Sequence, residues 1–356
     1  MSLWGKMANL VWQLIKFIET ELYLCKRNTF SKKLTKTAPQ LPLFWCMYSI
    51  ILLNQNNITM KKSLAILLLV SFISYTALSQ STNDSLINTL NTDIIPGKVP
   101  TYYTPGNIEI ATDLQKTITS AINFYEGIQP NKFHIKLAVL DSVQWPSTWV
   151  PYGFVFYSDG WIFMNTGMDY GNFKKVYGLG KIYTHLDTEL KNQKVTNAKM
   201  IESFYKVYAI HELGHYFISR LSNAKSPDKW TNEFIATFFS YSFFKNYDQN
   251  SLKEFELFHK IDRDFYQPKY STIADFNKVY MSMGVENYVW YHSNFYFLVE
   301  ALYKCYGREF LHIYEEIFTK NSEKTFTTED IIQLIDRDCN GEVKKWVNSI
   351  ESKTNN

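Results

Sequence analysis

Apolar side chains recur at helical spacing through most of the chain beyond residue 107. In residues 108–125 they stand at Ile110, Leu114, Ile118 and Ile122, which predicts an amphipathic helix with one buried face. The same period predicts further helices over 199–221, 230–244, 252–265, 289–306 and 309–318, and one from Thr327 onward. Asp330, three residues after Thr327, is typical of a capping box at the start of that last helix.

Strand patterns are confined to a shorter stretch. Residues 133–140 (FHIKLAVL) predict one strand, and the segments GFVFYS and WIFMNT on either side of Asp159-Gly160 predict a hairpin. The Asp-Gly pair supplies the positive φ angles that a two-residue turn requires. Residues 81–105 are polar and predict a loosely ordered lead-in. We therefore expect an α+β fold: a helix and a small antiparallel sheet over about 108–180, then a helical part over about 196–350.

The N-terminal part has the pattern of a targeting segment. Met60 is followed by two lysines, an apolar run and the small-x-small sequence Ala77-Leu78-Ser79, which predicts a signal peptide at 60–79 cleaved after Ser79. We expect residues 1–59 to be an upstream extension from a start codon assigned too early, and residues 80–356 to be the secreted or periplasmic domain. The apolar segment 41–53 is shorter than the roughly 20 residues of a membrane span, so no stable span is expected in the mature chain.

Removing the signal changes the charge and the cysteine content. The whole chain has a formal net charge of +3, whereas residues 80–356 hold 28 Lys and Arg against 32 Asp and Glu, a net charge of about −4. The composition therefore gives no reason to expect a nucleic-acid partner. Of four cysteines only Cys305 and Cys339 remain in the mature chain. They could form a disulfide in an oxidising compartment or remain as two buried thiols.

The chemistry-bearing motif is HELGH, from His211 to His215. Residues four apart share one face of a helix, so the two histidines can bind one ion while Glu212 stands beside it. In this HExxH arrangement the histidines hold Zn²⁺ and the glutamate takes a proton from the zinc-bound water. A catalytic zinc site needs a third protein ligand, and Glu233 on the following helix is the expected one, with Asp228 as its rival.

HELGH followed by Asn232-Glu233-Phe234-Ile235-Ala236 resembles the gluzincin peptidases, which include thermolysin and the zinc aminopeptidases. The segment YHSNFYFLVEALYKCYGREFL, which begins at Tyr291, is similar to the aminopeptidase segment whose first tyrosine polarises the scissile carbonyl. The hairpin over 153–166 lies where that family has its substrate-binding edge strand. The resemblance implies a gluzincin-like fold with His211, His215 and Glu233 as zinc ligands.

The resemblance also implies catalytic roles. Glu212 is the expected general base, and Tyr291 the expected donor to the oxyanion that develops during hydrolysis. Tyr288 and His292 are close enough in sequence to take that role instead. Thr237 stands where thermolysin-like enzymes have an acid that orients a ligand histidine.

The expected function is hydrolysis of peptide bonds in a peptide or protein substrate. One alternative is a non-catalytic binding or surface protein that keeps zinc for stability, and another is a zinc hydrolase of a non-peptide amide or ester. A fourth protein ligand would favour the structural role, because a catalytic site keeps one position open. Nothing in the sequence indicates the oligomeric state.

Overall fold

The computed structural model of this chain describes residues 83–127, 133–145, 154–176, 182–220, 228–320 and 326–355. The predicted signal peptide at 60–79 and the preceding residues 1–59 lie outside the described residues. No helix in the described ranges is both long enough and apolar enough to cross a membrane.

Five short strands form one sheet in the order β1-β2-β3-β5-β4. They are β1 (Asp93–Ile95), β2 (Thr101–Tyr103), β3 (Lys136–Leu140), β4 (Val155–Ser158) and β5 (Trp161–Asn165). The pairs β1-β2 and β4-β5 are antiparallel, whereas β2-β3 and β3-β5 are parallel. The sheet is therefore mixed, and the expectation of an antiparallel sheet was wrong. The helix α1 (Ile108–Glu126) connects β2 to β3 as a crossover, and such a connection makes the strands that it joins parallel.

The predicted hairpin is confirmed. Ser158 pairs with Trp161, and the intervening Asp159 and Gly160 have φ angles of 43° and 82°. Its first strand, β4, is the terminal strand of the sheet. The predicted lead-in is wrong in part, because residues 83–89 are helical and β1 and β2 follow them. Those strands are too short to show a periodic pattern in the sequence.

Helices make up most of the remaining chain. They are α2 (Tyr170–Val176), α3 (Ile182–Asn192), α4 (Asn197–Arg220), α5 (Lys229–Tyr247), α6 (Gln249–Phe265), α7 (Ile273–Val279), α8 (Val285–Tyr306), α9 (Phe310–Lys320), α10 (Thr328–Asp336) and α11 (Glu342–Glu351). The predicted capping box is present, since Thr327 and Asp330 bond reciprocally at the start of α10. Cys305, at the end of α8, and Cys339, after α10, form a disulfide with their Cα atoms 5.7 Å apart.

The helix that carries HELGH, α4, occupies the middle of the fold. It packs against β4, β5 and α1 on one side and against α5 and α6 on the other. The helical segment 83–89 packs on the opposite face of the sheet, where Ile87 forms a small apolar cluster with Trp161 and Phe163. Two polar residues of this helix, His211 and Glu212, are nevertheless buried, so they stand out as functional candidates.

Candidate metal centre

Helix α4 carries His211 and His215 on one face. Thr196 directly precedes the helix, and its hydroxyl accepts a hydrogen bond from the backbone N–H of Lys199 at 3.2 Å and so caps it. The ring centroids of His211 and His215 are 4.8 Å apart, as expected for residues one helical turn apart. His211 and Glu212 are both under one tenth exposed. Polar groups so deeply buried need partners, and the neighbouring helix provides them.

Gly214 allows that neighbouring helix, α5, to approach closely. A Cβ atom at this position would lie 2.8 Å from Cα of Ala236 and 3.0 Å from Cβ of Phe239. Real Cβ atoms essentially never make contacts as short as the first, so only glycine fits at the present helix separation. The close approach places Glu233, three residues before Ala236, opposite the two histidines.

One carboxylate oxygen of Glu233 is the centre of the cluster. Its Oε2 lies 3.3 Å from Nε2 of His211, 3.5 Å from Nε2 of His215 and 3.4 Å from Nε2 of His292. His292 comes from α8, so three helices contribute to the cluster. Glu233 and His292 are each about 5% exposed.

The distance from the Glu233 oxygen to each histidine nitrogen is that expected between two ligands of one metal ion. Two ligands about 2.0–2.1 Å from a tetrahedral zinc ion, for example, lie about 3.3–3.4 Å apart, and each of the three separations is close to that value. Within the described part of the chain, Nε2 of His292 is buried without a hydrogen-bond partner, although it lies 3.4 Å from the Glu233 oxygen. A buried nitrogen without a partner is costly, and a metal ion or a polar group of a bound ligand would satisfy it. Imidazole and carboxylate donors together occur in sites for zinc, iron and other divalent metals.

Two hydroxyl groups form hydrogen bonds with His211 and Glu233 on the sides that face away from the cluster. The hydroxyl of Thr237 lies 3.4 Å from Nδ1 of His211 and donates to the carbonyl of Glu233 at 2.8 Å. Since the hydroxyl hydrogen is committed to that carbonyl, its oxygen accepts from Nδ1–H, and Nε2 of His211 is left free for a metal. The hydroxyl of Tyr280 donates to Oε1 of Glu233 at 2.5 Å. These hydrogen bonds thereby orient Nε2 of His211 and Oε2 of Glu233 towards the cluster.

The two glutamates and the histidines of the cluster differ in how their pKa values are shifted. Burial raises the pKa of Glu212, and the adjacent histidines offset only part of that rise. Burial also opposes ionisation of Glu233, yet His215, His211 and His292 together hold its pKa well below the usual range. His215 shows the complementary effect, since Glu233 and Glu212 overcome burial and raise its pKa to about 9. Burial lowers the pKa of His292 to about 3, so this imidazole is neutral and can donate a lone pair.

Glu212 stands beside the donors. One of its carboxylate oxygens lies within 4.8 Å of a ring nitrogen of His211 and of His215. The backbone N–H of Tyr157, on the terminal strand β4, lies near this carboxylate. Glu212 therefore faces the edge of the sheet, while Glu233 faces the three histidines.

Tyr291 occupies a different place from the one that its predicted role requires. Its side chain is fully buried, and its hydroxyl donates to the carbonyl of Thr272 at 2.8 Å. The charges that act on its pKa, after burial, are those of Asp275 and Glu351. Tyr280, in contrast, bonds Glu233 directly. The structure thus brings His211, Glu212, His215 and Glu233 together with His292 and Tyr280.

The sequence indicates His292 only as an alternative to Tyr291 and does not indicate Tyr280. A local signal for His292 does exist, because it stands four residues after Tyr288 on an otherwise apolar helix face. Tyr280 has no such signal. It follows the short helix α7 and reaches Glu233 only through the packing of α7 against α5.

No protein-family model matches the chain, and no curated protein matches it. Within the described residues, His211, Glu233 and His292 form a buried cluster that could hold a metal ion. The partly exposed His215 places its Nε2 3.5 Å from the same Glu233 oxygen.

Proposed function

We propose that this chain is a secreted or periplasmic zinc metallopeptidase of the gluzincin type, in which His211, His215 and Glu233 hold the metal. One observation carries the proposal: three imidazole nitrogens surround Oε2 of Glu233 at ligand spacing, while the carboxylate of Glu212 lies next to them as a separate group. A buried carboxylate is costly to retain, and a metal site kept for stability alone gains nothing from a second one. This second, separate carboxylate supports the role of Glu212 as the general base.

The roles of the residues follow from their positions. Bound Zn²⁺ would supply Lewis acidity, which polarises the substrate carbonyl and acidifies water. Glu212 takes the proton from the attacking water and passes it to the leaving amine. Glu233 remains ionised because three histidines surround it, so it serves as a ligand and leaves the proton transfer to Glu212.

His292 replaces Tyr291 in this proposal as the donor to the oxyanion. Its Nε2 faces the cluster, whereas the hydroxyl of Tyr291 is bonded to Thr272. A neutral imidazole can carry its proton on Nε2 and donate it to a developing negative charge. Burial keeps His292 neutral, which supports this role.

A peptide is the substrate class that the surroundings favour. The terminal strand β4 pairs with β5 on one side, and the amide of its residue Tyr157 points towards Glu212 on the other. An extended peptide can add to such a strand edge through backbone hydrogen bonds, which would hold its carbonyl groups near Glu212. The disulfide between Cys305 and Cys339 supports secretion, because such bonds persist in oxidising compartments.

The test compares protein expressed from the full chain with its Glu212→Gln variant. Bound zinc and hydrolysis of casein are measured for both, with a simple amide and an ester as additional substrates. We expect about one equivalent of zinc in each protein and casein hydrolysis by the native protein alone. Removing a general base typically costs about 10²–10⁴-fold in rate.

Glu202→Gln provides the matched control. Glu202 lies on the same helix but bonds Lys199 and Lys206, outside the cluster, so its variant should keep both zinc and activity. Absence of zinc from the native protein would overturn the proposal. Hydrolysis of the ester or amide without casein would keep the metal chemistry and replace the substrate class.

A second function is favoured by a specific observation, the presence of His292. If the unprotonated Nε2 of His292 binds the metal together with His211, His215 and Glu233, the site has four protein ligands. It then has no open position, as in structural zinc sites. The chain would then be a non-catalytic protein that is stabilised by zinc. Tightly bound zinc with no hydrolysis of any substrate by the native protein is the outcome that this function predicts.

A further inference from the structure

Glu233 uses its two carboxylate oxygens differently. Oε2 faces the three histidines, and Oε1 accepts the hydrogen bond from Tyr280 at 2.5 Å. Hydrogen bonds to a charged acceptor are short and strong, so this one restrains the rotation of the carboxylate.

A second tyrosine fixes the first. The hydroxyl of Tyr288, in the first turns of α8, lies near that of Tyr280, and the two ring centroids are 5.8 Å apart. The fully buried ring of Phe276 packs against Tyr280 at 5.3 Å and against Tyr288 at 6.4 Å. The ring of Tyr288 also lies 4.3 Å from that of His292. The tyrosine pair thus contacts both Glu233, a proposed metal ligand, and His292.

We propose that Tyr280 is a positioning residue, which makes Glu233 bind the metal through Oε2 alone, and that Tyr288 orients Tyr280. The inference rests on the proposed metal site and adds the feature that sets its coordination number. A carboxylate free to rotate could bind zinc through both oxygens and fill the position that a catalytic site leaves open. Partners on the far side of ligands commonly set both the orientation of the ligand and the affinity for the metal.

The test removes single hydroxyl groups. Affinity for Zn²⁺ is measured by competition with a chromophoric chelator, and coordination by the visible absorption of bound Co²⁺, which weakens as the coordination number rises above four. We expect Tyr280→Phe to bind Zn²⁺ about 10- to 100-fold more weakly and to give a weaker Co²⁺ absorption. Tyr288→Phe leaves the bond to Glu233 in place and should give changes in the same direction but smaller.

Tyr170→Phe is the matched control. The hydroxyl of Tyr170 also donates to a carboxylate, that of Asp187, but outside the cluster, so this variant should retain the native affinity and spectrum. Native affinity and an unchanged spectrum in Tyr280→Phe would overturn the inference while leaving the metal site intact. Absence of Zn²⁺ binding by the native protein would instead remove the proposed function and this inference together. Should Tyr280→Phe fail to fold, the result for Tyr288→Phe decides.

Discussion

Asp262 is a fully buried acid on α6 that the proposed chemistry does not use. Neither of its carboxylate oxygens has a well-formed hydrogen bond to a described residue, although the hydroxyl of Ser293 lies near and bonds Nδ1 of His259 at 2.7 Å. Burial raises the pKa of Asp262 to about 7, and Ser293 offsets only part of the rise. The folded protein therefore holds a proton there at pH values where the unfolded chain has released it.

This proton makes stability depend on pH. The contribution of Asp262 is fully present below its unfolded pKa of 3.8 and is lost as the pH rises to about 7. We predict that Asp262→Asn is more stable than the native protein at pH 8, by up to about 4 kcal/mol, and about equally stable near pH 4. Urea denaturation at both pH values measures the difference.

Asp264→Asn is the control for this prediction. Asp264 lies on the same helix with a side chain 41% exposed, and its variant should show the native pH dependence. Every other titrating group, including His259, is common to the proteins compared, so the difference isolates Asp262. An Asp262→Asn protein that is destabilised equally at both pH values would contradict a protonated Asp262.

The sequence predicts the site residues that lie close to the HELGH motif along the chain and misses those that lie far from it. His211, Glu212 and His215 follow from helical geometry alone, and Glu233 lies on the next helix in the chain. His292 lies 59 positions after Glu233, and its contact depends on how α8 packs against α5. Tyr280 and Tyr291 show the same limit. Both tyrosines lie far along the chain from Glu233, and only packing determines that Tyr280 bonds Glu233 while Tyr291 bonds Thr272.

Between elements, the contact of α4 with α5 determines whether Glu233 reaches the histidines. We predict that Gly214→Ala lowers the free energy of unfolding by about 1–3 kcal/mol, although alanine is the better helix former. The added methyl group would clash with Ala236 and Phe239, so α5 would have to move away from α4. Because Glu233 moves with α5, zinc affinity should fall as well. Urea denaturation and chelator competition measure the two effects.

Gly127→Ala is the comparison for this prediction. Gly127 follows α1 with a φ of −72°, and a Cβ atom there would meet only the carbonyl oxygen of Phe124, at 3.7 Å. This variant should be neutral or stabilised by about 0.4–1 kcal/mol, with native zinc affinity. If both variants behaved alike, the close helix contact would have no energetic consequence.

The elements themselves were predicted well where the pattern is long and poorly where it is short. The helix α1 and the hairpin β4-β5 lie within a few residues of their predicted positions. The strands β1 and β2 have three residues each, which is too few for alternation to be distinguished from chance. Without β2, the parallel pairing across α1 could not be foreseen, and the sheet was expected to be antiparallel.

At the scale of the whole molecule, the disulfide ties the C-terminal helices to the helix that carries His292. Cys305 and Cys339 are 34 positions apart, and closing a loop of that length in the unfolded chain corresponds to about 4 kcal/mol of stabilisation. We predict that the double variant Cys305→Ala, Cys339→Ala loses about 2–4 kcal/mol in free energy of unfolding. Urea denaturation gives the value for each protein.

A reductant distinguishes loss of the bond from loss of packing. Reduction should bring the native protein close to the stability of the double variant and leave the double variant unchanged. Cys339 is only 1% exposed, so any further loss in the double variant beyond that of the reduced protein measures the buried thiol groups. Because the bond requires an oxidising compartment, protein secreted from cells should resist alkylation at both cysteines until it is reduced. Alkylation of both sites in unreduced, denatured protein would mean that the pair is open and would also count against secretion.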